Sequence, residues 1–189
     1  MRRIGAIKLL QVQRDPIKYK GVSYDPEPLL EVDEAVVGPS GMLGRYDGGW
    51  VVDVHSPVHP NPRGGGNRAL SIGFTAHYDA MSARYGACPL GEAGENIVVE
   101  SSGIVTLADL EGTVVIRTAE GDIELTGARV AAPCREFTSY LLGLPHVAER
   151  EELGNDLEFL EHGMRGFVFG VDHLDGWRTI RTGDEVFVA

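Results

Sequence analysis

The chain has 189 residues, 43% of them apolar, with 25 glycines, 10 prolines and a formal net charge of −11. That length and apolar content predict one globular domain over residues 1–189 with a substantial core, and the glycines and prolines predict short strands joined by tight turns. The acidic balance argues against a nucleic-acid or anionic-membrane surface, which needs a basic footprint, and no run of about eighteen apolar residues is present to span a bilayer.

Residues 4–12 read as a strand in which Ile4, Ala6, Leu10 and Val12 share one parity and Lys8 is the exception. Lys8 also breaks the apolar stretch behind Met1-Arg2-Arg3, which a secretory signal would keep intact, so the expected compartment is the cytoplasm. Residues 13–30 are polar with three prolines and read as a loop. Short strands are expected at 35–37 and 50–54, with the glycine-rich stretch 38–44 as a turn between them. Residues 56–67 hold three prolines and Gly64-Gly65-Gly66, the composition of an exposed mobile loop.

Phe74, Tyr78, Met81 and Tyr85 recur at helical spacing, with Gly86 placed for a left-handed cap. The aromatic stripe is expected to be core. A hairpin is predicted from 113–118 and 122–126 over Ala119-Glu120-Gly121, and a strand near Val130 leads to Pro133-Cys134. A short helix is expected at 136–142, ended by Gly143. A second, at 149–161, carries six acids outside and Leu153, Leu157 and Leu160 on one face. Strands at 167–171 and 185–188 complete a mainly β chain, which fits a closed or partly closed barrel.

Chemistry concentrates on few residues. Of the two cysteines, Cys134 follows a proline at a strand-to-helix junction and is flanked by Arg129 and Arg135, whereas Cys88 has no cation near it in sequence and reads as structural. A thiol acts as nucleophile or soft-metal ligand in its thiolate form, which neighbouring cations favour. His55 and His59 could ligate zinc, but the prolines around them break any helix that would align them. Glu95-Asn96 offers an acceptor beside an amide that both donates and accepts, although an asparagine there also suits a tight turn.

Gly94-Glu95-Asn96-Ile97, the 110–116 block, Ala128-Arg129-Val130-Ala131-Ala132-Pro133-Cys134, the 163–171 block and the closing 180–186 block stand in an order and spacing that resemble a MOSC domain. This is the module at the C-terminus of molybdenum cofactor sulfurases, also found alone, and the likeness is strongest over 68–189. The resemblance implies a β-barrel that handles molybdenum cofactor or sulfur through Cys134, which would be both the reactive thiol and the metal ligand. Cofactor binding would fall to Glu95, Asn96, Arg68, Arg129 and Arg165, the arginines serving the pterin phosphate because a guanidinium binds oxyanions in a bidentate fork. The glycines around Arg165 would let a ligand approach the backbone, and Cys134 is expected beside Glu95-Asn96 and the 163–166 loop.

One reading is a binder or carrier that hands cofactor or sulfur to a molybdoenzyme, fed by a cysteine-desulfurase-type donor. Others are an oxotransferase or reductase working with an electron-donating partner, and a scaffold barrel without chemistry. Full-length sulfurases also carry a pyridoxal-phosphate domain that needs a Schiff-base lysine. Here the only lysines are Lys8, Lys18 and Lys20, which argues against pyridoxal phosphate chemistry in this chain. Many relatives carry Gly-x-x-Gly-Asp-x-His; here Gly41-Met42-Leu43-Gly44 is followed by Arg45, and a histidine arrives only in Asp53-Val54-His55.

Overall fold

The computed structural model describes residues 1–63 and 68–189. Its organising element is the first strand, β1 (Arg2–Gln13), apolar at both parities because it is covered on both faces. One edge of β1 pairs antiparallel with β15 (Glu185–Val188) and then with β4 (Leu29–Val32). The other edge pairs with β9 (Ile97–Val99). Register shifts at Arg3/Gly5 and Ile7/Leu9 are bulges that bend the strand and curl the sheet around it. Gly5 is required at the first: a Cβ there would lie 1.8 Å from the Glu100 carbonyl oxygen.

The main sheet continues from β15 to the hairpin β10 (Val114–Thr118) and β11 (Gly121–Leu125). On the other side it continues from β9 to β8 (Leu70–Phe74), β13 (Phe167–Phe169) and β12 (Arg129–Val130). Among the described residues only β8 and β9 run parallel, and α1 (Thr75–Tyr85) lies in the crossover between them, as parallel neighbours require. A second sheet orders β14 (Arg178–Arg181), β5 (Glu34–Gly38), β6 (Gly41–Tyr46) and β7 (Gly49–Val52). The main sheet is strongly curled, so the fold is a mainly β, partly closed barrel with three helices among the described residues. Its interior is filled by Leu10, Val12, Met42, Phe74, Ile116, Phe167 and Phe169, all buried.

A smaller apolar layer lies outside the barrel, where Tyr78 and Met81 of α1 meet Phe137 and Leu141 of α2 (Arg135–Leu141) and Leu160 of α3 (Gly154–Leu160). The aromatic stripe of α1 is therefore core at Tyr78 and Met81, and Gly86 takes its positive φ of 92° after the last turn. The acidic segment forms a helix only from Gly154, and Leu153, Leu157 and Leu160 are buried as its apolar face requires.

Two stretches differ from the sequence expectation. Residues 13–30 do not form a loop throughout: β2 (Lys18–Tyr19) and β3 (Ser23–Tyr24) make a small hairpin before β4. Tyr24 anchors that hairpin, its ring 5.0 Å from Phe137 and 5.3 Å from Tyr140. The turn-rich 38–44 stretch is mostly strand β6. Its glycine content disguised it, because Gly44 packs where a Cβ would come 2.9 Å from Val12 Cγ1. Of the mobile loop expected over 56–67, residues 64–67 lie outside the described residues.

Candidate functional site

Cys134 stands where β12 gives way to α2, extended at φ −131° and ψ 150°, with its sulfur half-buried. β12 pairs with β13, and the Ala131 N–H bonds the Gly166 carbonyl, so the 163–166 turn is laid directly against the 131–134 segment. That register brings Arg165 Nη1 to 3.4 Å from Cys134 Sγ. The same nitrogen donates to the Ala132 carbonyl at 3.1 Å, and Nη2 donates to the Ala93 carbonyl at 3.1 Å. The guanidinium lies 4.7 Å over the Phe137 ring. Burial opposes its charge, but the Cys134 sulfur and the Tyr24, Glu95 and Tyr78 oxygens outweigh that and hold Arg165 protonated above the ordinary guanidinium range.

Arg135, adjacent in sequence, turns the other way. Its guanidinium bonds the Ala148 carbonyl at 2.9 Å and pairs with Glu149 at 2.9 Å. The cation at the sulfur comes from a distant strand end, not from the sequence neighbour.

Glu95 is buried beneath this pair. Tyr78 donates its hydroxyl to Glu95 Oε2, and burial pushes the carboxyl up to about 7 against the opposing effects of that bond and of Arg165. Two glycines make room for it: a Cβ on Gly73 would lie 2.6 Å from Glu95 Oε1, and one on Gly166 would lie 3.0 Å from Glu95 Cγ. The space beside Gly163 is likewise taken, by the Phe167 ring at 2.3 Å from a built Cβ. The glycines around Arg165 thus admit protein atoms, not an approaching ligand.

Asn96 also bonds inward. Its Oδ1 accepts from the Ser71 N–H at 3.0 Å and the Ser71 hydroxyl at 2.9 Å, and its Nδ2 donates to Asp53 Oδ2 at 2.8 Å. Asp53, fully buried, receives the Gln13 N–H on Oδ2 and both the backbone N–H and ring Nδ1 of His55 on Oδ1. The Asp53-Val54-His55 element therefore does reach the site, carried there by the turn after β7. His59 does not join His55: its Nε2 bonds the Arg14 carbonyl and its Nδ1 accepts from Asn61. Among the described residues no group of three or more His, Cys, Asp or Glu side chains could hold a metal ion.

An open cleft of about 650 Å³ is lined by Cys134, Glu95, Arg68 and Arg165 together with His55 and Ser71, while Asn96 and Asp53 stand behind that lining. Arg129 sits on β12 opposite Val168, one residue before the lining stretch 130–134. Three lining cations, Lys18 and Lys20 of the small hairpin and Arg63, escaped the sequence reading. Two of the chain's three lysines falling in one acid-poor stretch was the available signal. Among the described residues, against five basic side chains in the cleft stand only Glu95 and Glu136, and Glu136 Oε1 is bonded to the Gly21 N–H. In a chain of net charge −11 this is a concentrated positive site.

A family model described as "MOSC domain" matches residues 59–187. The chain belongs to the MOSC domain family. That family is linked to molybdenum cofactor, and the matched region contains Cys134, Glu95, Asn96 and all the candidate arginines. The MOSC fold here is similar to the YUAD protein from Bacillus subtilis, with a TM-score of 0.59 at 19% identity over 98% of this chain and 96% of that one. It is also similar to YiiM from Geobacillus stearothermophilus, with a TM-score of 0.50 at 17% identity over 99% of this chain and 74% of that one. A comparison with curated proteins returns no match.

Proposed function

We infer that this MOSC protein binds molybdenum cofactor or carries sulfur on Cys134, passing it on during molybdoenzyme maturation. The observation that carries the reading is the Cys134 sulfur, 3.4 Å from the buried Arg165 guanidinium, in a cleft that also gathers Lys18, Lys20, Arg63 and Arg68. The donor set fits the cofactor: a soft sulfur for the metal and rim cations for a phosphate. Two lining residues also carry buried polar atoms without a hydrogen-bond partner among the described residues, Glu95 Oε1 and Arg165 Nε.

Each side chain then has a definite task. Arg165 places a positive charge 3.4 Å from the sulfur, facing any negative charge put on it, while Phe137 and the Ala93 and Ala132 carbonyls keep the guanidinium from swinging outward. Its two Nη nitrogens are bonded to protein atoms, so phosphate neutralisation passes to Lys18, Lys20, Arg63 and Arg68. Glu95 sets the charge beneath Arg165, and Asn96 ties the β9 wall to Asp53. Cys134 would be the single protein donor to the metal. Bound there, the cofactor supplies a dithiolene-held molybdenum suited to a thiolate ligand. A free thiol carrying sulfur needs a reducing compartment, consistent with the cytoplasm; no helix is long and apolar enough to cross a membrane among the described residues. A sulfur donor of the cysteine-desulfurase type and a recipient molybdoenzyme are the partners this role requires.

The test is to purify wild type and Cys134→Ser from a host that makes the cofactor and to measure molybdenum and pterin separately. Wild type should carry metal and pterin together, or a persulfide on Cys134. Cys134→Ser should lose the metal or the sulfur with its fold intact. Wild type carrying none of these would overturn the reading.

A further inference from the structure

His55 is held by one carboxylate at both its backbone N–H and its ring Nδ1. The carboxylate beneath it, Asp53, is fully buried and accepts four hydrogen bonds: Gln13 N–H at 2.8 Å, Asn96 Nδ2 at 2.8 Å, His55 N–H at 2.9 Å and His55 Nδ1 at 2.8 Å. With three of these coming from other groups, Asp53 cannot rotate to follow the ring; the ring must follow Asp53. A carboxylate on Nδ1 fixes the proton there, so the nitrogen that exchanges protons is Nε2, on the side of the ring turned away from Asp53. The ring is 27% exposed and lines the same cleft as Cys134. The phenol and carboxyl groups on that cleft are engaged elsewhere: the Tyr24 hydroxyl donates to the Glu92 carbonyl, Glu136 accepts the Gly21 N–H, and Glu95 is bonded to Tyr78 below the surface. Lys18 and Lys20 lie on the separate β2–β3 hairpin, with no carboxylate in salt-bridge contact to orient them among the described residues.

We propose that His55, oriented by Asp53, is the proton donor to the leaving thiol when Cys134 accepts sulfur from a persulfide donor. The inference rests on the sulfur-carrier reading of the cleft. In the step, the Cys134 thiolate attacks the terminal sulfur of R–S–SH. The new bond is Cys134 Sγ–S, the bond broken is the donor S–S, and the departing R–S⁻ takes the proton from His55 Nε2. Products are Cys134 persulfide, R–SH and neutral imidazole, which regains its proton from water. The sulfane sulfur moves with its oxidation equivalent, so no outside oxidant or reductant enters. Arg165 lies beside the attacking sulfur, and His55 serves the sulfur that leaves. Asp53 is a positioning residue in this scheme.

The experiment compares wild type, His55→Gln and Asp53→Asn in the full chain. Single-turnover sulfur transfer to Cys134 is followed by peptide mass spectrometry from two donors: glutathione persulfide, whose leaving thiol is basic, and an aryl persulfide, whose leaving thiolate is stable without a proton. Iodoacetamide alkylation of Cys134, which expels iodide and needs no acid, is the control. His55→Gln should slow transfer from glutathione persulfide by about a hundredfold or more, yet leave aryl persulfide transfer and alkylation within about twofold of wild type. Asp53→Asn should show the same selectivity to a smaller degree. Equal rates for wild type and His55→Gln with glutathione persulfide would overturn the proposal. So would a variant that slows both donors and alkylation alike, which would mark His55 as structural. If wild-type Cys134 takes sulfur from neither donor while alkylating normally, the carrier reading fails and the proposal falls with it.

Discussion

Two thiols with opposite surroundings define the chemistry at residue scale. Cys88 is buried among apolar side chains, and burial, helped by Glu92 and Glu95, pushes its thiol up to about 12. Cys134 is half-exposed beside a fixed guanidinium. Because alkylation follows thiolate fraction, brief iodoacetamide treatment at neutral pH should label Cys134 and leave Cys88 untouched, as read by peptide mass spectrometry. Replacing Arg165 with Met should slow labelling of Cys134 several-fold. The same substitution should cost about 1.5–3 kcal/mol in urea unfolding, since a charge-assisted bond and the carbonyl contacts are lost. Unchanged labelling in Arg165→Met would mean that the 3.4 Å contact does not act on the thiol. The family resemblance places Cys134 beside the 163–166 loop, but it is strand pairing through β12 and β13 that brings the Arg165 guanidinium to the sulfur, and no local pattern encodes that pairing.

At the scale of elements, the site is built where strand ends and the small β2–β3 hairpin meet. The hairpin supplies Lys18 and Lys20, and it is held by Tyr24 against Phe137 and Tyr140 and by the Gly21–Glu136 hydrogen bond. Tyr24→Ala should cost about 3–5 kcal/mol, the range for deleting a buried aromatic ring, and should weaken binding of a phosphate-bearing probe by releasing the lysines. Urea unfolding and a fluorescence titration with the probe would check both. A stability loss with unchanged binding would show that hairpin position does not matter to the cleft. This hairpin was illegible in the sequence because its strands are two residues each and lack apolar alternation. By contrast α1, α2, the β10–β11 hairpin and β13 were readable, since their periodicity and their glycine stops agree with the tertiary environment they enter. Asn96 sits at the margin: its turn-forming habit was visible, but its partners Ser71 and Asp53 lie 25 and 43 residues away.

For the whole molecule, the balance of charge sets how stability responds to pH. Glu95 is the main contributor near neutrality. Its folded value of about 7 exceeds the ordinary carboxyl value of 4.5, so its contribution is fully present below 4.5 and lost as pH rises through 7. His77 works from the other side: buried against Val105, with burial lowering its value below 6.5, it costs stability as pH falls below 6.5. Glu95→Gln should therefore gain on wild type between pH 4 and pH 8, by on the order of 3 kcal/mol. Denaturant unfolding at both pH values would test this, and a difference independent of pH would contradict it. The barrel class was legible from composition and turn spacing, and the family resemblance from five blocks in order. The full positive cleft was not, because an acidic whole conceals the part that Lys18, Lys20 and Arg63 play until folding gathers them beside Arg68 and Arg165.

The central claim is that the Cys134 sulfur in this cleft is the functional atom. The direct measurement is peptide-resolved mass spectrometry of both cysteines after exposure to a cysteine-desulfurase persulfide donor, followed by a thiol-trapping reagent. The account predicts one added sulfur atom on Cys134 and none on Cys88, with the addition removed by reduction. An unmodified Cys134, or equal modification of both thiols, would contradict it.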